Sequence, residues 1–453
     1  MFNLKNKRIA IYGMGVSGIS ALRLANSLEA QCIAINGGDV SNWAKSPGVL
    51  DHIGIDQCYN ETDPSLPQIL SQIELVILSP GIAREHPLLL PLLDKNIPII
   101  GEIELAYRYL EAKNLLSPIV GITGTNGKTT STTFLGEMIK NDHKSVFVGG
   151  NIGIPFCDYA YDIFNNKLPS DIILLELSSF QLESIERFHV DVAIILNLFQ
   201  NHGERYNSIE DYGRSKFHIT NRFTNNDTLI YPEDFKIIAS WASKEPGQKR
   251  IINTQNPSIK YSTKNFKLPG HHNLVNLAFI IEAAECLKLS TSAINQTIES
   301  FSGVHHRIEF VDSPMGLTHF KVFNDAKSTN WDATLTAVAA MNDFKLPIHL
   351  IIGGKKRGHG DSILPSLEFL KKHVFKFYLI GEMADEIESE IKSNVLYEKT
   401  KTLEETIRSV RRQFGLEAGI LLFSPGFPSF DQFQNYAHRG EHFIGLVTSN
   451  ATT

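Results

Sequence analysis

Apolar residues in this chain gather in short unbroken runs. The runs at 8–12 (RIAIY), 31–35 (QCIAI), 74–78 (ELVIL), 118–123 (PIVGIT), 145–149 (SVFVG), 171–176 (DIILLE), 191–196 (DVAIIL), 348–352 (IHLII), 376–380 (KFYLI) and 419–423 (GILLF) have strand length. Several are apolar throughout, which is the pattern of central parallel strands covered on both faces; a half-exposed strand alternates instead. The stretches between them are long enough for crossover helices. The pattern therefore predicts repeated βαβ units and an α/β protein with more than one sheet.

Breaks in the pattern divide the chain. The segment 110–118 (LEAKNLLSP) is polar, ends in Ser-Pro and precedes a glycine-rich turn, and the segment 302–307 (SGVHHR) separates a helical stretch from new strands. Domains at 1–112, 113–304 and 305–453 are expected, in keeping with 453 residues at roughly 100–200 per domain. Charge narrows the partners. With 43 Lys+Arg against 49 Asp+Glu the net charge is −6, which disfavours bulk binding to nucleic acid or to an anionic membrane. No run approaches the roughly 20 apolar residues of a membrane span. The four cysteines stand far apart, as thiols in a reducing compartment do, so a cytoplasmic protein is expected.

The strongest local signal is GITGTNGKTT at 121–130. An apolar strand runs into glycines, then Lys-Thr, then a helix. Glycines let backbone N–H groups converge on phosphate oxygens, and a helix N-terminus adds partial positive charge. Lys128 is placed to neutralise phosphates, and Thr129 to ligate Mg²⁺. The spacing departs from the common phosphate loop, since Ile122 stands where a glycine is usual. A second glycine turn, Gly13-x-Gly15-x-x-Gly18, follows the first strand, but the second strand ends in Asn36 where a dinucleotide fold carries an acid; Asp39 is the nearest. The turn SPGIA at 79–83 follows another apolar strand and is expected to line the same crevice.

Further candidates sit at strand ends. Glu176 closes IILLE, His202 follows VAIILN, and Lys216 lies on a helical stretch; an acid and a histidine beside phosphates suit Mg²⁺. In the last third, NDAKSTN (324–330), GGKKRGHGD (353–361) and SPGFPSFDQF (424–433) each follow a strand, where open α/β sheets bind ligands. Arg307 precedes them at the second break and suits a phosphate contact.

From GMGVSG and SPGIA through GEIEL, GITGTNGKTT, GGNIG, ELSSFQLE, LPGHHN, HHRIE, NDAKSTN and SPGFPSFDQF to HRGEHF, the chain resembles the Mur ligases over nearly its whole length. ELSSFQLE and NDAKSTN place the resemblance in the branch that adds glutamate. It implies a Rossmann-like N-terminal domain binding the uridine nucleotide, a central P-loop-like ATPase domain, and a C-terminal dinucleotide-fold domain. The implied reaction is ATP-dependent joining of D-glutamate to UDP-N-acetylmuramoyl-L-alanine by a monomer in peptidoglycan precursor synthesis.

The same resemblance implies roles. Gly124, Thr125, Asn126, Gly127, Lys128, Thr129 and Thr130 hold ATP phosphates, with Asn276, Arg307 and Asp325 as further nucleotide contacts. Thr129, Glu176, His202 and a carbamylated Lys216 hold two Mg²⁺ ions, and Lys128, His202 and Lys216 serve catalysis. Gly15, Val16, Ser17, Gly81 and Asn151 belong to the UDP-substrate, and Lys327, Thr329, Arg357, Ser429 and Tyr436 to the amino acid. Three places depart from the family pattern: Asn201 stands before His202 where an aspartate is usual, the second strand ends Asn36-Gly37-Gly38, and SPGFPSF is bulkier than usual. The last leaves an L-glutamate-adding variant open. Another Mur or folylpolyglutamate-type ligase is the remaining alternative.

Overall fold

A computed structural model describes residues 2–45, 48–199, 205–312, 314–356, 362–391, 395–413 and 418–449. All ten apolar runs become strands, as does the HFKVF segment before NDAKSTN, and they lie in three sheets.

The first sheet contains β1 (Arg8–Tyr12), β2 (Gln31–Asn36), β3 (Cys58–Asn60), β4 (Leu75–Leu78) and β5 (Ile99–Gly101). It is wholly parallel, in the order β3-β2-β1-β4-β5. The second contains β6 (Ile119–Thr123), β7 (Val146–Gly150), β8 (Ile172–Glu176), β9 (Val192–Ile195), β10 (Thr228–Pro232) and β11 (Gln248–Ile252), also parallel, in the order β11-β10-β9-β6-β8-β7. The third contains β12 (Glu309–Val311), β13 (Phe320–Asn324), β14 (Ile348–Gly353), β15 (Val374–Ile380), β16 (Leu396–Lys401) and β17 (Gly419–Phe423), in the order β12-β13-β17-β14-β15-β16, with only β12 antiparallel. Strands β6, β8 and β17 are buried along their whole length, as their unbroken apolar sequences require.

The chain forms two compact units: residues 1–260 with 275–294, and residues 261–274 with 295–453. The first two sheets share the first unit because one hydrophobic core runs through both. Helix Phe156–Phe164 shows how. Phe156, Tyr159, Ala160 and Ile163 recur at helical spacing and are all buried, and the helix packs on helices Val16–Ser27 and Glu102–Ala112 of the first sheet's layer. Glu104, fully buried on Glu102–Ala112, accepts from the backbone N–H of Glu186, Arg187 and Phe188, each at 2.9 Å, and pairs with Arg108 Nε at 2.6 Å. That carboxylate ties the first sheet's helix to a loop of the second sheet. Among the described residues no helix is long and apolar enough to cross a membrane.

Glu102, at the start of the same helix, is buried with less support. Oε1 accepts from the Cys157 N–H, but Oε2 has no partner among the described residues. Burial lifts its carboxyl from an ordinary 4.5 to about 7, against the lowering effect of the Cys157 bond. Because the folded-state value is raised, Glu102 adds stability that is fully present below pH 4.5 and lost as pH rises to about 7. Glu102→Gln should remove that decline and leave the protein more stable at pH 8 by about 2–3 kcal/mol, read by urea unfolding across pH 4 to 8. A variant whose unfolding profile keeps the wild-type slope contradicts this reading.

Candidate active site

The glycine-rich loop at 124–127 lies between a strand and a helix, where the sequence puts it. β6 ends at Thr123, and helix Lys128–Asn141 begins directly after Gly127. Gly127 has φ +81°, a left-handed conformation that favours glycine, and a Cβ there would stand 2.8 Å from Asn276 Oδ1. Asn276, on helix His271–Cys286, is therefore packed directly onto the loop.

Two lysines converge on this loop. Lys128 Nζ donates to the carbonyls of Gly124 (2.9 Å) and Thr125 (3.0 Å). Lys216, on helix Ile209–Phe217 and 2% exposed, donates to the same Gly124 carbonyl at 3.0 Å, with Nζ 4.4 Å from the Tyr212 ring centre. Burial, reinforced by the charge of Lys128 and only partly offset by Glu176, lowers the Lys216 amine from 10.5 to about 6. At neutral pH it is mostly uncharged.

Glu176 ends β8 and is buried. Its Oε1 accepts from Asn151 Nδ2 at 2.8 Å, and its Oε2 is buried with no partner among the described residues. The hydroxyls of Thr123, Ser131 and Thr132 around the loop are also buried and have no partner among the described residues. An orphaned carboxylate oxygen is costly, and a hard divalent cation would satisfy it. Together with the nearly buried Thr129 at the start of the helix, this donor set fits Mg²⁺. His202, with its neighbours Asn201, Gly203 and Glu204, and Arg357 lie outside the described residues.

Sequence reading missed the side chains that hold the loops. Asn197 Oδ1 accepts from the N–H groups of Thr125 (3.0 Å) and Asn126 (2.9 Å), and its Nδ2 donates to Asn126 O at 3.1 Å. Its signal was available: it follows β9 as Glu176 closes β8. Glu183, the last residue of ELSSFQLE, accepts from Tyr206 Oη at 2.5 Å and from Arg205, which also donates to Ile82 O at 3.3 Å. In the first sheet, Gly15 and Val16 open helix Val16–Ser27 at the surface, with Ser17 half-buried and Gly81 exposed nearby in sequence to Ser79. Ser79 N–H and Oγ bond the carbonyls of Tyr12 (2.9 Å) and Gly13 (2.7 Å), joining the two glycine turns as expected.

In the second unit the three expected loops meet at the ends of β13, β17 and β14. Asp325 N–H bonds Phe423 O (2.7 Å), Gly426 N–H bonds Ser328 O (3.2 Å), and Gly353 N–H bonds Pro425 O (2.9 Å). Beneath them Arg439, 1% exposed, donates from Nη2 to Ala326 O and Phe427 O, both at 2.9 Å. Burial lifts the Asp325 carboxyl to about 7, moderated by the 2.7 Å bond from Ser424 Oγ. Lys327 Nζ stands 5.3 Å over the Tyr436 ring, Ser429 is buried, Thr329 is half-buried, and Arg307 is exposed just before β12.

Comparison with known proteins gives the family. A family model described as the Mur ligase middle domain matches residues 122–279. The UDP-N-acetylmuramoylalanine–D-glutamate ligase of Streptococcus thermophilus is 33% identical over 98% of both chains. The chain belongs to the Mur ligase family. The enzyme of the same name from Alkaliphilus metalliredigens is also 33% identical, over 98% of this chain and 99% of its own. Among solved structures, the MurF ligase of Thermotoga maritima in complex with ADP matches 99% of this chain and 98% of its own with a TM-score of 0.59 at 15% identity, a likeness of fold.

The buried amine has a thermodynamic consequence for this Mur ligase fold. With a folded-state value near 6 and an unfolded value near 10.5, Lys216 costs stability in full below pH 6, and that cost fades as pH rises toward 10.5. Lys216→Met should therefore be more stable than the wild type below pH 6, by about 1–4 kcal/mol, with the gain shrinking to nothing above pH 10.5. Denaturant unfolding without nucleotide or metal measures it. A gain independent of pH would contradict the assignment.

Proposed function

We propose that the chain is an ATP-dependent acid–amino acid ligase that joins D-glutamate to UDP-N-acetylmuramoyl-L-alanine in peptidoglycan precursor synthesis. The names of its 33%-identical relatives support the substrates. The observation that carries the chemistry is the phosphate loop, with Lys128 and Lys216 on one carbonyl and the open carboxylate oxygen of Glu176 beside it.

A carboxylate does not form an amide in water without a leaving group. In the proposed reaction its oxygen takes the terminal phosphoryl group of ATP, releasing ADP. The glutamate nitrogen then attacks the acyl carbon, phosphate departs with the C–O bond electrons, and the nitrogen loses a proton. The loop backbone from Gly124 to Thr130 and Lys128 orient the phosphates and balance charge as it shifts between them. Thr129, Glu176, His202 and carbamylated Lys216 are the proposed holders of two Mg²⁺ ions, which when bound neutralise phosphate charge. Carbamylation asks for a neutral amine: its nitrogen bonds the carbon of CO₂ and releases a proton, and a Lys216 lowered to about 6 meets that need. Asn276 is proposed as a nucleotide contact. Gly15, Val16, Ser17, Gly81 and Asn151 are proposed for the UDP-substrate, and Lys327, Thr329, Ser429 and Tyr436 for the amino acid. A monomer with domains at 1–112, 113–304 and 305–453 is part of the same proposal.

Phosphate release that depends on both UDP-N-acetylmuramoyl-L-alanine and D-glutamate tests the function, with L-glutamate run in parallel. Release only with L-glutamate would move the specificity to the variant branch, and release with a folate acceptor would move it to the folylpolyglutamate type. Lys128→Ala should lower turnover by at least about a hundredfold while keeping the melting transition. A folded Lys128→Ala with near-normal phosphate release would overturn the loop assignment.

Lys216→Ala should be nearly inactive, and short-chain carboxylates should restore part of its rate by presenting oxygens in the vacated space. A fully active variant at saturating Mg²⁺ would reduce Lys216 to a structural residue.

A further inference from the structure

The first sheet carries a polar chain that none of the glycine motifs uses. Tyr12 ends β1, Glu61 follows β3, and His86 lies in the loop after β4. Tyr12 Oη donates to Glu61 Oε2 at 2.7 Å and stands 3.2 Å from Nε2 and 3.3 Å from Nδ1 of His86. Tyr12 is 1% exposed, whereas Glu61 and His86 are half-buried. The chain thus crosses the C-terminal edge of the sheet at β1 and β4. There the strand order reverses, which is where open α/β sheets bind ligands.

Dinucleotide folds carry an acid at the end of the second strand to hold the nucleoside. Here that place belongs to Asn36, and Asn36 is turned inward: its Oδ1 accepts from Met14 N–H at 3.0 Å and its Nδ2 donates to Gly37 O at 3.2 Å. The acid arrives from the third strand instead. Glu61 N–H bonds Asn36 O at 3.1 Å, and the side chain lies against Gly37, where a Cβ would come within 3.1 Å of Oε1. The absence of a side chain at 37 leaves room for the carboxylate. Glu61 Oε1 accepts no hydrogen bond among the described residues, and the N–H groups of Gly37 and Gly38 have no partner among them either.

A fixed carboxylate oxygen beside free amide donors complements the imide edge of a pyrimidine, an N–H set between two carbonyls. We propose that Glu61 is a specificity residue for the nucleoside, accepting the N3–H of the uracil of the UDP-substrate. This rests on the reading of the substrate given above. Tyr12 holds the other carboxylate oxygen and fixes the direction of the free one. A cytosine offers no N3–H, so the same oxygen would face a lone pair and reject it.

Calorimetric titration of the full chain with UDP and with N3-methyl-UDP tests the assignment. The wild type should bind N3-methyl-UDP about tenfold or more weakly than UDP; Glu61→Gln should lose about tenfold for UDP and bind the two nucleotides alike. Glu61→Asp, which keeps the charge but draws the oxygen back, should behave like Glu61→Gln and guards against a folding defect in either variant. Wild-type affinity for UDP in both folded variants would overturn the role of Glu61, as would a full methyl penalty that survives the substitutions. A wild type that binds no UDP would overturn the substrate reading and this assignment with it.

Discussion

Two amino groups share one acceptor: Lys128 and Lys216 both donate to the carbonyl of Gly124. Two ammonium ions cannot share a buried oxygen cheaply, so one has to give up its charge. Burial weighs most on Lys216 and the charge of Lys128 adds to it, so Lys216 is the one that does. The surrounding structure follows from keeping that meeting point in place. Gly127 allows the turn into the helix, Asn197 holds the amides of Thr125 and Asn126, and Glu176 stands by with one oxygen tethered to Asn151 and one open. The result is a site with a fixed cation, a neutral nucleophilic amine and an unsatisfied carboxylate, each held at the end of a buried strand or on a helix beside it.

The frame around the site is built from carboxylates as much as from apolar packing. Glu104 takes three backbone N–H groups and an arginine, joining the first sheet's helix to the second sheet. Glu183 gathers Tyr206 and Arg205, and Arg205 reaches the SPGIA loop. These clamps act on top of a single core that spans both sheets, which is why the glycine turns of the first sheet belong to the same compact unit as the phosphate loop. In the second unit Arg439 plays the corresponding part, joining the loops of Lys327 and Ser429 through two carbonyls.

The α/β class and the central strands were legible because full burial leaves unbroken apolar runs, as at 119–123, 172–176 and 419–423. Of the six edge strands, β7 was legible and five were not. β3, β5 and β12 have three residues each, and β11 and β16 read QKRII and LYEKTK with mostly open faces. β10 (TLIYP) is fully buried and was overlooked although its pattern was visible. The glycine loops and the strand-end acids were legible because their chemistry is local. Asn197 was missed although it follows β9 as Glu176 closes β8; Glu104 and Arg439 were not legible, since each holds a backbone group 82 to 113 residues away and no sequence period announces such a pairing.

The central claim is that the unmodified Lys216 amine, before it takes up CO₂, is neutral near pH 7. Nitrogen-15 NMR of the side-chain amine, with the signal assigned by its loss in Lys216→Met, reads this directly in a pH titration without nucleotide or metal. The account predicts a transition near pH 6. A signal that stays charged to about pH 10, the ordinary range of a solvated lysine, would contradict it.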